Sequence, residues 1–253
     1  MKFDLSKIEM SKQDIKKGVR LPSRLTRDLA EFVGIMVGDG HLSSFVRLDK
    51  KGRKIIQSDL KISGNKKERC YLMYIMNLFY SLFNIKLIYA QDTEPNAIIL
   101  RVYSKGIVQF LSKICEIPLN RKTCTVRIPN LIKNSDSSIK YCFLRGLADT
   151  DFSLVFQNKT GKGHNYPVIK AKFRSKNLVK DLEDVFSHLR FNYCTYYNEM
   201  RKDERFEPTR IHNIYLYGRE NLRKWMSLIG FSNPKYWRKI KKWEQDGVCP
   251  PGY

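Results

Sequence analysis

Laid over itself, the chain repeats at an offset of 112 residues, and no other feature narrows its fold as much. Phe32–Gly40 reads FVGIMVGDG and Leu144–Phe152 reads LRGLADTDF, so Gly34 pairs with Gly146 and Asp39 with Asp151. Both segments have the form apolar-x-Gly-apolar-x-x-small-Asp. A second echo follows at nearly the same offset: Tyr103–Lys122 (YSKGIVQFLSKICEIPLNRK) resembles Tyr217–Lys235 (YGRENLRKWMSLIGFSNPK). A repeat of this length is a domain rather than a solenoid unit. The 253 residues therefore divide into an N-terminal extension (1–25), a first domain (26–128), a linker (129–137), a second domain (138–237) and a C-terminal tail (238–253) that ends in the breaker-rich CPPGY of Cys249–Tyr253.

Each half carries the same coarse pattern. A helix starts near Thr26, a plausible N-cap with Asp28 in its first turn, and runs to the Gly38–Asp39–Gly40 stop; its counterpart runs from near Ser138 to about Thr150. Alternating stretches follow, with Gln57, Asp59, Lys61 and Ser63 against Ser58, Leu60 and Ile62, and Lys170, Lys172 and Arg174 against Ile169, Ala171 and Phe173. That period of two predicts sheets with one core face and one basic face. Helices over about 66–83 and 176–189, strand pairs over 85–103 and 191–217, and a closing helix complete each half. The fold class is α+β.

Charge narrows the partner. Lys and Arg number 47 against 25 Asp and Glu, a net charge of +22. Such an excess repels itself and answers to a polyanion, nucleic acid first and an anionic membrane surface second. The basic residues are spread over strands, whereas membrane-surface binding calls for a basic amphipathic helix. Six cysteines form no C-x-x-C pair and four histidines are scattered, which argues against a disulfide framework and a Cys/His zinc site. The N-terminus, MKFDLSKIEMSKQDIKK, has no apolar signal region, so the expected location is intracellular, cytoplasmic in a prokaryote or organellar. Tyr71–Ala90 imitates a membrane span, but Asn77, Ser81, Asn84 and Lys86 interrupt it, and a buried helix followed by a strand fits better.

Asp39 and Asp151 each sit at the C-terminal end of a predicted helix, where the macrodipole is negative. A single Asp-Gly there reads as a turn. Two at matched positions read as a pair, and a divalent cation resolves the conflict if the two helices pack side by side. Gly34, Gly38 and Gly146 would let them approach. Carboxylate oxygens suit Mg²⁺, which keeps waters and substrate phosphates among its ligands, with Mn²⁺ or Ca²⁺ substituting for binding. A metal site between two basic sheets is what phosphodiester hydrolysis requires.

At these residues the sequence resembles the LAGLIDADG homing endonucleases in their single-chain, two-motif form, over about residues 26–236. The resemblance implies two pseudo-symmetric αββαββα domains whose motif helices form the interface. It also implies curved antiparallel sheets in the major groove of double-stranded DNA, and a metal-dependent double-strand cut by a monomer. The last acids of the motifs, Asp39 and Asp151, are then the metal ligands, with Gly38 and Thr150 beside them. Lys122 and Lys235 are the basic residues expected at the scissile phosphates, with Asn65–Lys66 and Ser175–Lys176 second. One departure is that Phe152 stands where Gly40 stands in the first copy, which disfavours a left-handed backbone there. Asp149 is a weaker ligand candidate, since Val37 is its mate.

Base reading is expected from Arg47, Arg53, Gln57, Asp59, Lys61 and Arg101 on one face and Gln157, Asn158, Lys170, Lys172 and Arg174 on the other, with Lys66 and Lys176 beside them. Tyr196, Asn198, Arg201 and Arg210 are lesser candidates. Because the two faces differ, the target should be a long asymmetric site.

Rival readings remain. Asp39 with Asp59-Leu60-Lys61 imitates the D…(D/E)-x-K core of another nuclease class, but leaves Asp151 without a role. An RNA-binding intron maturase, taking structured RNA, uses the same scaffold. An architectural DNA-binding protein explains the charge but not the acids. An intein is disfavoured, because the chain opens on Met1 and His212-Asn213 runs on to Ile214.

Overall fold

The computed structural model describes residues 2–48, 52–91, 96–120, 122–159, 161, 163–203 and 206–253, without the side chains of 91, 201–203, 206 and 207. The Arg201 side chain thus lies outside the described residues. A short helix α1 (Lys12–Lys16) precedes the first repeat, which runs α2 (Arg27–Val37), β1 (Gly40–Leu48), β2 (Lys54–Asn65), a 3-10 turn (Lys66–Glu68), α3 (Arg69–Phe83), β3 (Ile88–Gln91), β4 (Ala97–Tyr103) and α4 (Lys105–Lys113). One helical turn, α5 (Asn130–Lys133), lies in the joint. The second repeat runs α6 (Ser137–Asp151), β5 (Phe152–Gln157), β6 (Tyr166–Phe173), α7 (Lys176–His188), β7 (Tyr193–Asp203), β8 (Phe206–Tyr217) and α8 (Gly218–Leu228), and α9 (Pro234–Asp246) follows. Two four-stranded antiparallel sheets result, ordered β1-β2-β4-β3 and β5-β6-β8-β7. This is the duplicated αββαββα architecture.

Local chemistry sets the helix starts. Thr26 accepts from the amide of Leu29 at 3.2 Å, and Asp136 from that of Ile139 at 3.1 Å, each satisfying an orphan donor of the first turn. The inward residues of the sheets, among them Leu42, Leu60, Ile62 and Leu100 in the first and Leu154, Ile169, Ala171 and Ile214 in the second, are all buried beneath the helices. The opposite, polar faces stay open. The apolar run from Tyr71 is α3, with Leu72, Ile75, Phe79 and Phe83 in the core. Among the described residues no helix is long and apolar enough to cross a membrane.

Three segments take a definite form that the sequence reading did not give them. The expected boundary at 237/238 falls inside α9, because Pro234 occupies the first helical turn, where its missing N–H costs nothing. The joint is not loose: Asp181 of α7 accepts from Arg127 (2.9 Å), the Ile128 amide (3.0 Å) and Lys133 (2.6 Å), and Ile132 is fully buried. Residues 2–24 pack against α3 and α4, with Phe3 edge-on to Phe110 at 5.8 Å and the Arg20 amide donating to the Phe83 carbonyl at 3.0 Å.

Candidate active site

The two repeats meet along α2 and α6, and glycine sets how closely. A Cβ on Gly34 would strike the Phe143 carbonyl oxygen and lie 2.8 Å from the Leu147 nitrogen. On Gly146 it would strike the Glu31 carbonyl oxygen and lie 3.1 Å from the Ile35 nitrogen. These neighbours are backbone and cannot rotate away, so only glycine permits the approach. A charge pair with a buried carboxylate and a half-buried guanidinium crosses the same interface. Glu31 accepts from Arg145 Nε at 3.0 Å and Nη2 at 2.5 Å, and also from Tyr74 and Ser232, each at 2.7 Å.

The packing brings the two motif acids to one place. A Cβ on Gly38 would sit 2.9 Å from Asp151 Oδ2, so the second acid lies against the end of the first motif. Burial, and then the Asp151 charge, push Asp39 up to about 7, while Lys122 and Lys235 pull it down. Burial pushes Asp151 up to about 6, opposed by Lys122. Crowded like charges at negative helix ends favour the protonated form. A recess of about 230 Å³ opens beside Asp39, lined also by Asn65, Glu68, Tyr71, Thr150 and Lys235. The Tyr71 hydroxyl is buried there without a hydrogen-bond partner among the described residues.

Lys122 and Lys235 are repeat mates in sequence, but their settings differ. Lys122 Nζ donates to the carbonyls of Met36 and Val37, each at 2.8 Å, and to that of Gly38. These are the orphan carbonyls that end α2, and a cation on them offsets the macrodipole that made Asp39 look misplaced. Burial pushes Lys122 down to about 8 against the pull of both acids. The Gly38 carbonyl, expected near the metal, is thus taken by a lysine. Lys235, in the first turn of α9, pairs instead with Glu68 at 3.2 Å.

Asp149 is an anchor for α9 rather than an open ligand. Its oxygens accept from the amides of Ser232 (2.8 Å) and Asn233 (3.1 Å), just ahead of Lys235. Thr150 Oγ1 donates back into α6, to the Leu147 carbonyl at 2.9 Å. Phe152 causes no misfit. It has extended backbone (φ −90°, ψ 161°) and opens β5 as Gly40 opens β1, so no left-handed residue is needed. Its ring packs on Trp225 at 5.8 Å.

On the first sheet Arg47 and Arg53 are exposed, and Gln57, Lys61 and Arg101 half-buried. Asp59, expected to read bases, is fully buried. Ser43 donates to it, Arg101 Nε lies 2.8 Å away, and Lys61 Nζ 3.8 Å. The adjacent strands supply Ser43 and Arg101, so the carboxylate orients Arg101 instead of meeting DNA. The Arg101 guanidinium also lies 4.6 Å over the Tyr103 ring. Asp59 and Lys61 therefore form a sheet cluster and not a D-x-K centre.

On the second sheet Lys172, Arg174 and Lys176 are exposed, and Lys170 half-buried; Gln157 is half-buried and Asn158 exposed at the far end of β5. Asn65 and Ser175 turn out to be caps, for the 3-10 turn carrying Lys66 and for α7. Sequence reading passed over Tyr215 and Tyr217, whose rings stack at 5.4 Å on the polar face with Lys159 5.1 Å over Tyr217; their spacing of two on a strand was the available signal. It also passed over Glu31, Glu68 and Arg145. His212 and Asn213 are buried within β8. Among the described residues no group of three His, Cys, Asp or Glu side chains comes together.

No protein-family profile matches the chain. Curated relatives match most of it: tRNA-splicing ligase RtcB of Methanopyrus kandleri at 26% identity over 213 residues, and Replication factor C small subunit of Methanocaldococcus jannaschii at 29% over 220. The alignments take in 80% and 87% of this chain but only 20% and 10% of those proteins. The chain thus spans a fifth or less of the relatives it matches, and their activities do not carry over. Among solved structures, I-SmaMI bound to uncleaved DNA target in the presence of calcium ions is similar with a TM-score of 0.54 at 15% identity, over 88% of this chain and 93% of that one. I-DmoI in complex with DNA and Ca gives 0.55 at 15%, over 85% and 97%. At such identity the likeness is one of fold, and it extends over both repeats. The chain has the duplicated fold of the LAGLIDADG homing endonucleases.

Proposed function

We propose that the chain is a site-specific endonuclease that hydrolyses both strands of a duplex DNA at a long asymmetric target, with Mg²⁺ as cofactor. The observation carrying this is the convergence of Asp39 and Asp151, from equivalent helix ends, between two polar sheet faces. Two carboxylates suit Mg²⁺, whose coordination is usually completed by water and phosphate. Their mutual repulsion, which raises Asp39, is the chemistry a cation relieves. Asp39 and Asp151 would hold it; when bound it supplies charge neutralisation at the phosphate and at the attacking and leaving oxygens.

The chain's own residues do the rest. Lys122, fixed on three carbonyls, places positive charge between the acids. Lys235 places charge at the recess beside Asp39, oriented by Glu68 and by the α9 anchor at Asp149. The glycine contact keeps both acids in register with the sheets that grip the duplex. One chain supplies both halves, so the working form is a monomer.

The test is a cleavage selection on a randomised duplex library with Mg²⁺ or EDTA, using wild type, Asp39→Asn and Asp151→Asn. Enrichment of one asymmetric site, lost with EDTA and reduced to nicking or nothing in the variants, supports the reading. Salt-sensitive binding without cutting in all three proteins refutes it and makes structured RNA the next ligand.

A further inference from the structure

We infer that the N-terminal arm is a third grip on DNA: α1 and Lys17 hold the phosphodiester backbone of the duplex beyond the half-site read by the first sheet. This rests on the nuclease reading and extends its interface past the two repeats.

The arm is built into the molecule. Ser11 and Asp14 cap α1 reciprocally, at 3.1 and 2.9 Å, and the same Asp14 oxygen reaches across to the Gly106 amide at 3.0 Å, in the first turn of α4. Asn84 donates to the Gly18 carbonyl at 2.9 Å, and Lys105 pairs with Glu9. Asp14 is buried, so one side of α1 is fixed against α4.

That fixes where the other side chains go. At about 100° per residue, Lys12 and Lys16 lie opposite Asp14, and Gln13 and Lys17 turn to one flank. All four are exposed. The flank they turn to is a recess of about 570 Å³ between α1 and the outer part of the β1–β2 hairpin, lined by Gln13, Lys17, Arg47, Gln57, Tyr103 and Lys105 among others. Arg47, Gln57 and Tyr103 belong to the polar sheet face, since Leu42, Leu60 and Val102 alternate with that set into the core. Ile56 and Ser58, of the opposite parity, also line the recess, which therefore sits at the edge of β2 where its pairing with β4 has ended. The arm thus flanks the polar face at the end remote from the acids.

Charge names the occupant. Residues 1–25 hold seven Lys and Arg against three acids, and two of those acids, Asp14 and Glu9, already have partners in the first repeat. Among the described residues no carboxylate lines the recess, while Lys17, Arg47 and the Glu9-paired Lys105 do. A groove that carries Lys17 and Arg47 beside Gln13, Gln57 and Tyr103, with Ile55 and Ile56 at its wall, and that flanks a DNA-binding face, fits backbone phosphates, which position a protein without reading sequence.

The experiment compares wild type, Lys12→Gln/Lys16→Gln/Lys17→Gln, and a control, Arg27→Gln/Lys180→Gln/Arg223→Gln, which removes equal charge from exposed positions on the helices backing the sheets. Binding to a random-sequence duplex of about 30 bp is followed by fluorescence anisotropy in Ca²⁺ across a salt series. The slope of log K against log salt becomes shallower by about 0.9 for each phosphate that the protein no longer neutralises. The arm variant is expected to bind severalfold more weakly, with a slope shallower by at least that amount, and the control to match wild type. Equal slopes in all three proteins, or an equal loss of affinity in arm variant and control, overturn the inference. Failure of wild type to bind any duplex sinks the nuclease reading itself, a distinct result. Unchanged far-UV circular dichroism in the arm variant separates weakened DNA binding from unfolding.

Discussion

Replacing Gly146 with alanine tests the packing on which the site depends. On helix propensity alone the change stabilises, by about 1 kcal/mol. Here the new methyl would collide with the Glu31 carbonyl oxygen and lie 2.9 Å from its carbon and 3.1 Å from the Ile35 nitrogen. None of these atoms can rotate aside, so relief requires α2 and α6 to separate. Overpacking of this kind costs about 1–3 kcal/mol, and backbone contact on a helix axis places it at the upper end. The net expectation is a loss of about 1–2 kcal/mol, or roughly 2–8 °C in melting temperature for a chain of this size. The effect on cutting should be larger. Gly146 lies about 7.5 Å along the axis from Asp151, and a displacement near 1 Å at reacting groups costs on the order of a hundredfold in rate. Thermal melting and single-turnover cleavage of a selected target provide the readouts. A Gly146→Ala protein that is more stable than wild type and cuts at the wild-type rate would refute the argument from glycine contact.

Other outcomes follow from the same geometry. Asp39 and Asp151, at about 7 and about 6, lie above the unfolded carboxylate value near 3.9. Between about pH 4 and 7 the folded chain therefore binds more protons than the unfolded one, and metal-free stability falls as pH rises through that window. Asp39→Asn should raise the metal-free melting temperature at pH 8 while abolishing cutting, and a lowered one would contradict this. Mg²⁺ should stabilise wild type more at pH 8 than at pH 5 in the same assay. Glu31→Ala, which leaves half-buried Arg145 without its carboxylate, should cost about 1.5–3 kcal/mol in denaturant unfolding, and Glu31→Met with Arg145→Met should recover most of it. Asp59→Asn should loosen base preference at one position under the first sheet by about 1–3 kcal/mol, read by sequencing cleavage products, because Arg101 loses its anchor.

What the sequence revealed depended on whether the cause was local or periodic. Thr26 caps α2 through a neighbour three residues on, and the paired glycines announce a close approach through their shared offset. Alternation placed Asp59 on the polar face correctly, but its burial arises from Ser43 and Arg101 on adjacent strands, which no single strand encodes. Lys122 was legible as a repeated lysine, yet its grip on three carbonyls of α2 depends on how a loop returns to a helix end. The Glu31–Arg145 pair left no trace, because the repeat mates of these residues are Phe143 and Val33. The 237/238 boundary cuts α9 because Pro234, a residue that breaks a helix interior, here opens one at its first turn.

The Glu31–Arg145 pair has a bearing on how the two halves depend on each other. Superposing one repeat on the other sets Glu31 where Phe143 stands and Val33 where Arg145 stands. A homodimer of the first half would therefore bury Glu31 against valine, and a homodimer of the second would bury Arg145 against phenylalanine. Either arrangement strands a charge in the seam, a heavy cost for any dimer. The duplication has become complementary: each half completes the other, and neither retains the surface needed to replace it with a copy of itself.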